Sequence, residues 1–142
     1  MVKFQRVDRD GSGIPDEEYN AAEATSVGHV MGVPASGQIP VYNAGTTPFG
    51  VCTGKADGSW DGSSTLAAND PIKIAKVGDD KDVWVKTSSS GAQAAGKKAI
   101  ACQDPAGYAT ESSTADDVAL YGIGTFLTSI TNGEALVRLS NK

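Results

Sequence analysis

Leu120-Tyr121-Gly122-Ile123-Gly124-Thr125-Phe126 and Glu134-Ala135-Leu136-Val137-Arg138-Leu139 are two apolar runs separated by a segment that contains Asn132-Gly133. Gly takes positive φ at no steric cost and Asn tolerates it better than most residues, so this dipeptide predicts a hairpin turn. The second run alternates in the manner of a half-buried strand. The spacing therefore predicts a strand over Val118–Thr131 and a last strand over Glu134–Leu139, the last pairing with the run that ends near Ile130.

The same grammar extends upstream. Short β-branched runs recur at roughly ten-residue spacing, punctuated by Asp57-Gly58, Asp61-Gly62 and Gly/Ser clusters. They predict strands over Ile39–Tyr42, Phe49–Lys55, Ile72–Val77, Val83–Thr87, Lys98–Gln103 and Tyr108–Thr110. Val83-Trp84-Val85 repeats the alternation, and Thr87–Ala92 is a loop by composition. Many short strands without long helical periodicity define an all-β chain, a small β-barrel or β-sandwich over residues 39–142. Residues 1–38 read differently, as an irregular N-terminal arm with an acidic turn. Within it Asp16–Ala24 is rich in helix formers, and Pro15 suits a first helical position, so two or three helical turns or an extended arm are expected.

Composition narrows the function. The chain has 142 residues and a net charge of −5, which disfavours nucleic acid as a partner. No apolar run approaches the ~18 residues of a membrane span, and Met1–Asp8 lacks the apolar stretch of a secretory signal, so synthesis in a cytoplasm is expected. Val, Ile, Leu and Phe supply only 27 residues, whereas Gly, Ala, Ser and Thr supply 60. Such a thin apolar supply points to stabilisation by oligomerisation or by docking on something larger.

Catalytic chemistry is poorly provided for. His29 is the one histidine, it sits between apolar neighbours, and the chain has no Gly-x-Ser-x-Gly elbow. Gly122-Ile123-Gly124 lacks the third glycine and helix of a dinucleotide fingerprint, and Gly54-Lys55 is not a phosphate loop. No enzymatic activity is expected. Cys52 and Cys102 form no Cys-x-x-Cys pair. They read as buried apolar residues in strands, with a disulfide the alternative. One motif has metal-ligand spacing: Asp8, Asp10, Ser12 and Asp16 stand at relative positions 1, 3, 5 and 9 with Gly13 at 6, as oxygen ligands do around Ca²⁺. Ser12 replaces a carboxylate, however, and Tyr19 stands where a terminal bidentate acid belongs. The segment is thus a calcium loop, similar to those of thrombospondin type 3 repeats, or a metal-free Asx-type turn.

Several pieces taken in order resemble a known family. Asp82-Val83-Trp84-Val85-Lys86-Thr87 leads through a small-residue loop into Lys97-Lys98-Ala99-Ile100-Ala101 and then Gly107-Tyr108-Ala109-Thr110. Leu120–Phe126 and Asn132–Leu139 complete the series. Over roughly residues 39–140 this order resembles the capsid decoration, or cement, proteins of tailed bacteriophages. The resemblance implies a non-enzymatic virion protein on the outer capsid surface, with the major capsid protein as partner and no direct contact with nucleic acid or membrane. Capsid lattices offer local three-fold and two-fold positions, so a homotrimer is expected, with a homodimer as the alternative. Val2, Phe4 and Val7, apolar beside Lys3 and Arg6, are candidate capsid contacts. Trp60 is a candidate anchor, as is Trp84, with core packing the alternative for both. The competing reading is a calcium-dependent extracellular adhesion or carbohydrate-binding β module.

Overall fold

The computed structural model describes residues 7–10 (backbone only), 15–43, 46–57, 62–88, 95–102, 105–112, 114–130 and 133–140. The strands are β1 (Val7–Asp10), β2 (Glu17–Ala21), β3 (Thr25–Ser26), β4 (Val30–Met31), β5 (Gln38–Ile39), β6 (Gly50–Lys55), β7 (Thr65–Leu66), β8 (Pro71–Lys76), β9 (Lys81–Lys86), β10 (Lys98–Ala101), β11 (Ala109–Ser112), β12 (Gly122–Phe126) and β13 (Glu134–Leu139), with one short helix, α1 (Ala115–Tyr121). The chain is all-β, as its turn and strand spacing predicts. No helix among the described residues is long and apolar enough to cross a membrane.

The larger sheet runs β1-β9-β13-β12-β10-β11, every pair antiparallel. Its ends curl toward each other. Beyond β9, Thr87 bridges Ala109 of β11, and the Ser88 amide donates to the Ala109 carbonyl at 2.9 Å. Five strands thus form a nearly closed C-terminal barrel, with β1 lying outside the ring on the same edge of β9. The second sheet runs β4-β6-β8-β2-β5. The residues after β5 turn back onto β4: Gly32 donates to Pro40 at 2.8 Å and Tyr42 to Val30 at 2.9 Å. That return makes a second, smaller N-terminal barrel. β3 and β7 pair separately.

Two apolar cores follow. Ile39, Cys52, Ile72, Ile74 and Met31 fill the N-terminal barrel, and Phe126, Ile123, Leu139, Val83, Val85 and Val137 fill the C-terminal one. β6 and β8 are the shared wall. Side chains alternate across a strand, so Cys52 and Ile74 face the N-terminal core while the adjacent Val51 and Ala75 join the C-terminal one. This explains why five of the six residues of β6 are buried.

Gly28 seals the junction. Its amide donates to Cys52 in one barrel and its carbonyl accepts from Lys86 in the other, at 2.8 and 2.9 Å. With φ at +95° and a Cβ position against the Lys86 backbone, the site favours glycine.

The hairpin reading holds: β13 pairs with β12, Thr125 opposite Arg138 and Phe126 opposite Val137. Gly133 has the left-handed φ of +73°, and Asn132 lies outside the described residues. Two expectations need correcting. The helix-former run is strand β2, because its burial alternates down to a fully buried Ala21, and packing in a sheet overrides intrinsic propensity. Residues 15–38 of the expected irregular arm thus contribute strands that pair with β6 and β8. The second correction is α1, which occupies the start of the strand expected from Val118. Thr114 caps it, accepting the Asp117 amide through Oγ1 at 3.3 Å, and Asp116 and Asp117 sit in the first turn.

Candidate functional site

Where β1 ends and β2 begins, the chain is pinned by charge. Asp16 receives the Thr53 hydroxyl of β6 at 2.5 Å on one carboxylate oxygen and the Lys81 ammonium of β9 on the other. Lys81 is only 2% exposed and Asp16 13%. A buried ammonium is tolerated only when paired and hydrogen-bonded, so this contact clamps the two barrels together. Both oxygens of Asp16 are therefore engaged within the protein. Asp8 and Asp10 lie in β1, where Asp10 stands opposite Lys81, and Ser12 lies outside the described residues. Among the described residues no group of three or more His, Cys, Asp or Glu side chains is gathered as a metal site would require.

One strand pair further in, Arg138 of β13 forks onto the buried Asp82 of β9, Nε to Oδ1 at 2.8 Å and Nη2 to Oδ2 at 3.1 Å. The pairing is cross-strand, residue opposite residue. At the margin of the N-terminal core, Tyr19 donates to Glu17 at 2.5 Å and Lys76 approaches the same carboxylate at 2.9 Å. These two donors hold Glu17 below the usual carboxylate range. The Tyr19 ring meets Phe49 edge-on at 5.8 Å, and Lys76 lies over the same Phe49 ring. This is a half-buried aromatic and charged patch that sequence reading misses, because Phe49 and Lys76 come from segments remote from Glu17.

His29 is built into the junction between barrels. Its Nδ1 accepts the Ser26 amide at 3.2 Å, its ring lies 5.6 Å from Tyr108, and the Gly107 backbone packs against it. Burial, aided by the Lys86 charge, pushes its pKa down to about 4. These contacts make His29 a packing element.

Cys52 and Cys102 are both buried and are not joined in a disulfide. Burial pushes the Cys52 thiol up to about 12, well above the range of a reactive thiolate.

Of the expected contact residues, Val7 lies in β1, while Val2, Phe4 and Trp60 lie outside the described residues. Trp84 stands between the fully buried Val83 and Val85 and is half-buried on the opposite face of β9. Among the described residues two further large apolar side chains reach the surface: Val33, 54% exposed in the loop after β4, and Leu120, 56% exposed on α1.

Fold and surface together define a small, double-barrelled β protein in which Asp16–Lys81 and Asp82–Arg138 join strands. No family model and no curated protein matches the chain. A solved structure described as the capsid of Myoviridae phage XM1 contains a chain of the same fold. The TM-score is 0.62 at 16% sequence identity, over 94% of this chain and 89% of that one.

Proposed function

We propose that the protein is a non-enzymatic virion component of a tailed phage that binds the outer surface of the assembled capsid and cements neighbouring capsomers. The observation that carries this reading is a fold shared over nearly the full length of both chains with a chain of a phage capsid structure. The net charge of −5 supports an outward position, away from packaged nucleic acid. A cement protein performs no reaction; it buries enough surface across adjacent subunits to resist their separation. A contact of roughly 800 Å² per partner, repeated over a lattice, supplies that resistance through many simultaneous attachments. The protein acts as a homotrimer, with a homodimer the alternative, because subunits at local symmetry axes match the symmetry of their site.

The major capsid protein is the partner, and residues 1–6, which include Val2 and Phe4, are the segment assigned to it. The test is co-sedimentation with expanded empty capsids from the same source. Full-length protein is expected to pellet with them, and protein lacking residues 1–6 to bind more weakly while keeping its fold. Failure of the full-length protein to pellet overturns the reading. Undiminished binding by the shortened protein overturns the role of the N-terminal segment alone. The same pelleting assay with millimolar Ca²⁺ or with EDTA decides whether Asp8, Asp10, Ser12 and Asp16 take a metal: a calcium-dependent difference supports the site, and identical binding and thermal stability in both remove it.

A further inference from the structure

β1 stands apart from the other strands of the large sheet. The C-terminal barrel closes without it, through β9, β13, β12, β10 and β11 and the contact from β9 to Ala109. Among the described residues β1 has one strand partner, β9, and its pairing is interrupted by a register shift between Val7 and Arg9. From Asp16 onward the chain is fixed again. Asp16 is held by Thr53 and Lys81, and β2 is bedded between β8 and β5. Between the strand and the clamp the sequence reads Gly11-Ser12-Gly13-Ile14-Pro15, where two glycines permit backbone conformations closed to other residues.

We propose that β1 is an exchangeable strand: in the assembled state it leaves the β9 edge of its own chain and occupies the same edge of a second copy. The exchanged pairing reproduces the ladder already present, Val7 opposite Val83 and Asp10 opposite Lys81, so it requires no new recognition surface. Departure of β1 breaks neither barrel. It also leaves the Asp16–Lys81 clamp intact, because both of its residues stay with the donor chain. Such swapping of an identical element is a low-cost route to oligomers, since the ladder formed between chains restores the hydrogen bonds broken within each one.

The sequence also limits the geometry. Six residue steps separate Asp10 from Asp16, and at about 3.3–3.6 Å per residue the end of the strand moves no further than ~22 Å from the clamp. The accepting β9 edge therefore lies within that reach of the donor's Asp16, so the exchanging copies pack directly against one another.

Strand exchange rests on the self-association proposed above and gives it a physical carrier; its test needs no capsid, so the two readings fail separately. Residues opposite each other in an antiparallel ladder have Cα atoms about 4.5–5.5 Å apart, within disulfide reach. A size-tagged Val7→Cys chain is folded together with an untagged Val83→Cys chain and oxidised. Exchange predicts a covalent heterodimer in non-reducing gels. It predicts none when Val33→Cys, exposed and outside the β1–β9 ladder, replaces Val83→Cys. Absence of the Val7–Val83 link between chains, or equal linking to the Val33→Cys control, overturns exchange. Deletion of residues 1–10 provides the second measurement. The shortened chain is expected to keep its β spectrum and to sediment as a monomer at concentrations where the full chain self-associates. An unfolded product, retained self-association, or a full-length chain that is monomeric throughout overturns it.

Discussion

The C-terminal barrel is built from strands of four to six residues, with its core of Val, Ile and Ala side chains gathered around Phe126. The N-terminal barrel is stitched partly by two-residue strands and a parallel β2–β5 contact, with Ile, Met and Cys52 inside. One barrel draws its closure from longer strands, with two of its four pairings, β10–β11 and β12–β13, joining consecutive strands. The other depends on its neighbour, sharing β6 and β8 as a wall and held at Asp16 by Lys81 from β9. A barrel too small to bury its own surface is thus completed by leaning on a second one, which fits the thin apolar supply of the chain.

The harshest way to break this comparison is Gly124→Ala, in the middle of β12. Its φ is +156°, and an added Cβ would fall 1.8 Å from the Arg138 carbonyl oxygen. The β12–β13 ladder cannot persist, and a loss of at least ~4 kcal/mol is expected, read as absence of a cooperative transition in urea. Next comes Lys81→Met, which strands the Asp16 carboxylate with Thr53 alone. Breaking a buried pair by removing one partner costs about 3–5 kcal/mol. The double variant Lys81→Met with Asp16→Leu is expected to recover much of that loss; no recovery would show that the contact is not the clamp between the barrels.

A smaller effect separates the junction from both cores. The pKa of His29 falls from 6.5 to about 4 on folding, so the folded state favours the neutral ring. Its contribution is complete above pH 6.5 and is lost as pH falls from there toward 4. Groups facing it are the Ser26 amide, the Tyr108 ring and the Lys86 ammonium. Tm measured from pH 7 to 4 should fall less steeply in His29→Gln than in the native chain, and parallel curves would remove His29 from the acid response. The mildest substitution is Gly37→Ala, where nothing lies within 4 Å of the added methyl group but φ is +77°. Left-handed strain alone is worth about 1 kcal/mol, expected as a shift of a few degrees in Tm.

The two barrels were also unequally legible from sequence. β13 and β9 alternate, and a glycine turn precedes β13, so local pattern suffices there. β4, β5 and β7 are two residues long and cannot carry a period, and β2 is composed largely of residues that favour helix. Their pairing is decided by neighbours far along the chain. α1 did have a signal, a Thr114 cap followed by Asp116 and Asp117, overshadowed by the β-branched run beyond it. The clamp had none: Lys81 lies 65 residues from Asp16, and spacing along a chain reveals a loop's own ligands but not a partner from another strand.

The placement of the two thiols has a practical consequence. Cys52 is enclosed in the N-terminal barrel, and Cys102 lies just beyond β10 of the C-terminal one, its amide donating to Tyr108 at 2.7 Å. Alkylating reagents attack thiolates, so each cysteine stays silent until its surroundings open to solvent. Each half of the molecule thus carries its own clock. Mass-resolved labelling over time reads two opening rates from a single unmodified sample, and equal rates would mean that the halves breathe as one cooperative unit.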